Sequence, residues 1–249
     1  MKMNFDSIEL HVLDMCVLAN NQLVASTNNN SISIFNKNFD LIRRIERIDE
    51  KPIYSFGVVF NEKNNRIYAS NWSNDCVYMF DLELNKLKSF GTRGMANSNL
   101  YRPFGICMKN EKLYVCDASN QRIQILNSDL TYIDSIHLNY VPNTIKISDT
   151  TIGVCGSNCT LNFYDLETKS LKKQYSNVSG RINEIDSTFY FVTFSPNKVI
   201  YCYDSDGNYK EEIDIDMLGT YFNYIWDGII LNFDNSIIMA NNKGNVLKF

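Results

Sequence analysis

Six short segments recur along this 249-residue chain in one register: QLVAS, RIYAS, KLYVC, TIGVC, FYFVT and SIIMA. Their apolar second residues, Leu23, Ile67, Leu113, Ile152, Tyr190 and Ile237, stand 44, 46, 39, 38 and 47 residues apart. Each segment ends on a small side chain: Ser26, Ser70, Cys116, Cys155, Thr193 and Ala240. A chain that repeats one unit at roughly this period stacks copies of it, and each copy buries its faces against its neighbours.

The stretch Pro103 to Ile136 shows the unit in full. Phe104–Met108, Lys112–Cys116, Arg122–Leu126 and Thr131–Ile136 alternate or are apolar, and Asn, Asp and Ser punctuate them. That pattern predicts four short strands. The third strands are SISIF, CVYMF, RIQIL, TLNFY, VIYCY and NVLKF. Ahead of the first five sit Asn29, Asn74, Asn120, Asn158 and Asn197, and after them Asn36, Asp81, Asn127, Asp165 and Asp204. Asn and Asp bond to their own turns, and Asn tolerates left-handed backbone, so both columns read as structural hairpin residues.

Fourth strands are expected at Leu41–Ile48, Lys86–Phe90, Thr131–Ile136, Leu171–Tyr175 and Tyr209–Ile215. The sixth unit has none, while an unassigned strand, Asn4–Leu10, precedes the first unit. The expectation is an all-β, six-bladed β-propeller with four-stranded blades, filling residues 1–249 as a single domain. Its ring would be closed by the N-terminal strand, which would protect an otherwise open edge.

Composition narrows the function classes. The formal net charge is −4 with a pI near 5.3, which gives no global attraction to nucleic acid or to an anionic membrane. No apolar run approaches the roughly 18 residues of a membrane helix. The start, MKMNFDSIEL, carries no continuous apolar segment of signal-peptide length, so a cytoplasmic protein is the expectation. The seven cysteines are scattered, and the pair Cys155 and Cys159 lacks a neighbouring His or a second pair, so they read as buried reduced thiols.

Pro103-Phe104-Gly105-Ile106, Leu113-Tyr114-Val115, Asp117, Asn120 and Arg122-Ile123-Gln124 resemble an NHL repeat, the blade unit of six-bladed NHL propellers. Gly57-Val58-Val59 through Ile67-Tyr68, and Asp227-Gly228-Ile229 through Phe249, are similar but more worn. The WD-repeat alternative lacks its Gly-His element, and the Trp226-Asp227 dipeptide sits in a first strand, where that family does not place it. The resemblance extends distantly to lactonase and esterase propellers of the gluconolactonase type. It implies that function sits on the loop face and at the channel mouth. The equivalent mouth residues are Asp14, Phe56, Phe104, Asn143, Arg181 and Asp227.

Two sets of candidates follow. Trp72, Arg93, Tyr101, Arg102 and Phe104, around the connection Gly91–Arg102, interleave aromatics with cations and form the expected partner-binding surface. Asp14, Asn143, Arg181 and Asp227 form the channel mouth, where Arg181 would neutralise two carboxylates without a metal. The alternative is a calcium or manganese site on Asp14, Asn143 and Asp227, because hard cations take oxygen ligands. Two histidines, His11 and His137, exclude the several-His zinc site of the amidating-lyase propellers and any credible Ser-His-Asp set.

No catalytic residue is assigned. The expected function is a non-catalytic binding scaffold for a protein or peptide, without a cofactor. A metal-dependent lactonase or esterase is the alternative, and single-stranded RNA binding comes third.

Overall fold

Strands form where the repeat predicts them. The computed structural model describes residues 12–178, 180–185, 187–193, 199–214, 229–233, 236–240 and 246–248. Five sheets are four-stranded antiparallel meanders. The first runs Val12–Val17, Leu23–Thr27, Ser31–Phe35 and Leu41–Ile45; the second Ser55–Asn61, Arg66–Asn71, Cys76–Phe80 and Lys86–Phe90. The third is Pro103–Lys109, Lys112–Asp117, Arg122–Asn127 and Tyr132–His137. The fourth is Pro142–Ile147, Thr151–Gly156, Thr160–Asp165 and Leu171–Ser176, and the fifth Gly180–Ile185, Thr188–Thr193, Val199–Tyr203 and Tyr209–Asp214. The sixth has three strands, Ile229–Phe233, Ser236–Ala240 and Val246–Lys248.

The expectation of six four-stranded blades is thereby corrected to five, with a three-stranded sixth sheet among the described residues. Residues 4–10, expected to complete that sheet, lie outside the described residues. A second correction concerns the first outer strand, which ends at Ile45 rather than Ile48. A two-stranded ribbon, Arg47–Ile48 with Lys51–Pro52, follows it. Its two central residues, Asp49 and Glu50, are both left-handed (φ 49 and 65), the geometry that matches the twist of a tight hairpin.

The chain divides into two compact units, Leu13–Asn143 and one made by Val12 with the described residues from Thr144 onward. In the first unit, Val24, Ile32 and Ile34 of the first sheet pack against Val58, Ile67 and Phe80 of the second. Tyr68 and Val77 of the second pack in turn on Ile106, Leu113 and Val115 of the third. Middle strands covered on both faces lose their polar alternation, and Leu23–Thr27 and Ser31–Phe35 are buried at every residue. Outer strands such as Leu41–Ile45 and Lys86–Phe90 stay largely exposed and carry Arg and Lys, which discourages sheet-to-sheet association. In the second unit, Leu161 and Phe163 of the fourth sheet meet Ile182, Phe189, Phe191 and Tyr203 of the fifth.

In the first two sheets the small residue near the end of the second strand latches one sheet to the next. Ser26 Oγ donates to the carbonyl of Phe56 at 2.7 Å, and Ser70 Oγ to that of Phe104 at 2.5 Å. Ser70 Oγ also accepts the Gly57 N–H at 2.8 Å. A Cβ on Gly57 would lie 2.8 Å from the Ile106 nitrogen and 3.0 Å from the Phe104 carbonyl, so glycine permits this close approach of neighbouring first strands. All seven cysteines are free, and the expectation that they are buried is corrected at two of them: Cys16 is half-buried and Cys159, in a turn, is exposed. Burial pushes the Cys155 thiol up to about 12 and the Cys76 thiol up to about 11, so neither forms a thiolate near neutrality.

In the turns before the third strands of the first four sheets the left-handed residue is not the recurring Asn but the next one: Asn30, Asp75, Gln121 and Cys159. The side chains of Asn29 and Asn158 bond locally instead, each Oδ1 accepting from a threonine hydroxyl two residues away, Thr27 at 2.5 Å and Thr160 at 2.7 Å. After the third strands the expected caps form. Asn36, Asp81, Asn127, Asp165 and Asp204 each accept two backbone N–H groups through Oδ1.

These caps predict a pH dependence. Bonds from the Thr168 backbone and then its hydroxyl hold Asp165 below the usual carboxylate range. For Asp81 and Asp204 partial burial opposes ionisation, but hydrogen bonds from Asn85 and Asn208 outweigh it. A carboxyl with a depressed folded-state pKa stabilises above its unfolded value, about 3.9, and loses that contribution as pH falls through the folded one. Asn36 and Asn127 show that Asn fits the position. The triple variant Asp81→Asn/Asp165→Asn/Asp204→Asn should therefore fold at neutral pH and show a shallower fall of melting temperature below about pH 4. An acid limb as steep as the parent's would remove these caps from the account.

Candidate interaction surface

Residues 91–102 connect the second and third sheets and are held from below by a buried polar network. Asp117 ends one strand and Arg122 begins the next, and the antiparallel register places them opposite each other. Arg122 Nε donates to Asp117 Oδ2 at 2.7 Å, with the two side chains 4% and 0% exposed. Burying a charge pair is tolerable only when its other donors and acceptors find partners, and here Arg122 Nη2 and both Asp117 oxygens do. Arg122 Nη2 donates to the carbonyls of Ala96 and Asn99 at 2.9 and 3.1 Å. Asn120 Nδ2 reaches the Gly94 carbonyl at 2.8 Å and Asp117 Oδ2 at 2.9 Å. Gln124 Nε2 donates to the Asn99 carbonyl at 2.5 Å.

Two carboxylates from adjacent sheets then grip consecutive backbone amides. The Tyr101 N–H donates to Asp117 Oδ1 and the Arg102 N–H to Asp75 Oδ1, each at 2.7 Å. Arg102 is left-handed (φ 53), a conformation costing a side-chain-bearing residue about 1 kcal/mol or more, and the Asp75 bond helps to hold it there. Inside the loop, Leu100 is fully buried, its N–H donates to the Thr92 carbonyl, and its own carbonyl accepts from Gly94.

This frame sets the outward side chains. Arg93 is exposed, with its guanidinium carbon 4.5 Å from the centroid of the Tyr101 ring and Nη2 donating to Tyr101 Oη at 2.7 Å. Arg102 is exposed and lies 5.8 Å from the centroid of the Trp72 ring, which meets Tyr54 edge-on at 5.4 Å. Four of the five expected partner residues, Trp72, Arg93, Tyr101 and Arg102, thus form two Arg-on-aromatic pairs carried by adjoining sheets. Phe104 belongs elsewhere: its half-buried ring packs edge-on against Phe56 at 5.1 Å, and its carbonyl takes the Ser70 latch.

The expected channel-mouth residues Asp14, Asn143 and Arg181 each stand on the first strand of a sheet. Asp14 Oδ2 accepts the Val58 N–H at 3.0 Å, which ties the first sheet to the second. Asn143 is half-buried in Pro142–Ile147, Arg181 is buried in Gly180–Ile185 of the other unit, and Asp227 lies outside the described residues. Among the described residues no group of three or more His, Cys, Asp or Glu side chains is placed to hold a metal ion. No helix there is long and apolar enough to cross a membrane.

Asp75, Asp117, Arg122 and Gln124 were missing from the expected site, although a signal for the ion pair exists. In the column of Asp117 the first, second and fourth sheets carry Thr27, Asn71 and Gly156, and in that of Arg122 they carry Ser31, Cys76 and Thr160. Opposite charges at these cross-strand partner positions, uncharged in the first, second and fourth sheets, mark the sheet that holds the 91–102 connection.

No protein-family model and no curated protein matches the chain. Solved structures do. U3-55K superposes with a TM-score of 0.71 at 11% identity, covering 98% of this chain and 79% of that one. The WD40 domain of Pan2 from Neurospora crassa gives 0.69 at 10% identity, covering 96% and 75%. Likeness at this level of identity establishes the fold, an all-β propeller, and not the repeat type or the activity.

Proposed function

We propose that this chain is a non-catalytic propeller scaffold of NHL type that binds a protein or peptide partner through the surface of Trp72, Arg93, Tyr101 and Arg102. The observation that carries the reading is the pair of guanidinium-on-ring contacts displayed by a loop with a buried ionic anchor. Trp, Tyr and Arg dominate binding hot spots because they bury much area with few degrees of freedom. Holding them in place before binding lowers the entropy cost of association. The Asp117, Asn120 and Arg122 positions that carry the NHL resemblance are those that hold the loop, which supports the repeat type.

Affinity capture from cell extract with cross-linking, repeated with Trp72→Ala, Tyr101→Ala and Arg102→Gly, tests the surface. Glycine relieves the left-handed strain at position 102, so that variant keeps the fold while losing the side chain. Each substitution should weaken capture of a given partner by about tenfold or more, the size of a 1.4 kcal/mol contact. A partner retained equally by all three variants would place the binding surface elsewhere.

A further inference from the structure

Resting on that reading, we infer that the surface recognises an acidic peptide segment in which an apolar side chain neighbours carboxylates. The first ground is charge. Neither Arg93 nor Arg102 forms an ion pair with a described residue; both guanidiniums lie over rings. A stacked guanidinium keeps edge N–H donors available, in the planar fork that matches a carboxylate. The carboxylates of the loop frame are already engaged: Asp117 is paired with Arg122, and Asp75 accepts the Arg102 amide. Two uncompensated cations therefore face outward on a chain of net charge −4.

The second ground is Met95. At 80% exposure it is the most exposed large apolar side chain among the described residues. It is not a loose tip, because its neighbours on both sides are pinned. The Gly94 carbonyl accepts from Asn120 and the Ala96 carbonyl from Arg122. A flexible, polarisable side chain carried in solvent on a pinned backbone, two residues from Arg93, suits a mixed apolar and acidic partner. Single-stranded nucleic acid is the competing ligand for rings and cations. Tracking its backbone needs a charged groove, and two arginines on an acidic chain give a weak one.

Fluorescence anisotropy with three labelled probes tests the inference: a random copolymer of glutamate and leucine, polyglutamate of equal length, and poly(U). The copolymer should bind about fivefold or more tighter than polyglutamate, through apolar contact. Arg93→Ala/Arg102→Gly should weaken copolymer binding by about tenfold or more, and Met95→Ser should abolish its advantage over polyglutamate. Thermal unfolding of each variant checks that the fold is kept. Copolymer binding that is absent or indifferent to these substitutions overturns the inference, as does poly(U) binding that depends on the two arginines. If the copolymer fails while a captured partner still depends on Trp72, the acidic-segment inference falls and the scaffold reading stands. If capture is also indifferent to Trp72, both fall.

Discussion

Replacing Arg122 with Met is expected to lower the unfolding free energy by about 3 to 5 kcal/mol, the cost of leaving one member of a buried ion pair without the other. Asp117 is fully buried, so its charge cannot turn to water when the guanidinium is gone. The carbonyls of Ala96 and Asn99 lose donors in the same step. Methionine fills much of the vacated volume, which confines the effect to charge and hydrogen bonding rather than a cavity. Urea unfolding measures the loss. Hydrogen exchange should show faster opening at Gly94 and Leu100, whose amides close the loop onto itself. Adding Asp117→Asn to Arg122→Met should recover part of the stability, because the uncompensated charge disappears while an acceptor for the Tyr101 amide remains. A loss below about 1 kcal/mol in the single variant would mean that the pair does not anchor the loop.

The second large effect is expected at Gly207, in the turn closing the fifth sheet's last hairpin. Its φ of 77 is left-handed, and a Cβ there would lie 2.7 Å from Phe163 Cδ2 and 2.9 Å from Phe163 Cβ. The ring cannot withdraw freely, since it is fully buried against Phe189 at 5.2 Å and Tyr203 at 5.3 Å. Gly207→Ala should therefore cost about 2 to 4 kcal/mol, combining backbone strain with overpacking. Phe39, Leu84 and Leu130 occupy the same left-handed turn position in the first three sheets, and their own side chains are buried there. In the fifth sheet that space belongs to the aromatic ring of a neighbouring sheet. The cost of Gly207→Ala should shrink in a Phe163→Leu background, where the ring is absent. An equal cost in both backgrounds would leave backbone strain as the whole effect.

Much of this protein was legible in its residues, because the information was local and repeated. Alternation and punctuation over about forty residues predicted the strands, and five Asn or Asp caps fell where hairpins close, since a side chain that bonds its own turn needs no distant partner. The small residues at the second-strand ends were legible as a crowded column. That Ser26 and Ser70 donate to the next sheet was not, because the acceptor lies 30 residues or more away. The left-handed turn residue was misplaced by one position, because the backbone geometry of the hairpin, rather than Asn preference, decides which residue reverses the chain. Gln121 and Cys159 accept that geometry without being favoured for it.

The candidate surface divides in the same way. Trp72, Arg93, Tyr101 and Arg102 were recognisable from residue type and spacing, since cations beside aromatics are an unusual composition for a solvated connection. Which of them come together was settled by the packing of adjacent sheets, which puts Arg102 over Trp72 and turns Phe104 towards Phe56. The sequence alone determined a repeating all-β chain with capped hairpins and a polar-aromatic loop. Tertiary structure decided the pairing of Asp117 with Arg122, the grip of two sheets on consecutive amides, and so the presentation of the loop. The physical reason is that a buried charge pair, unlike a turn, gains its energy only once neighbouring sheets have excluded water around it.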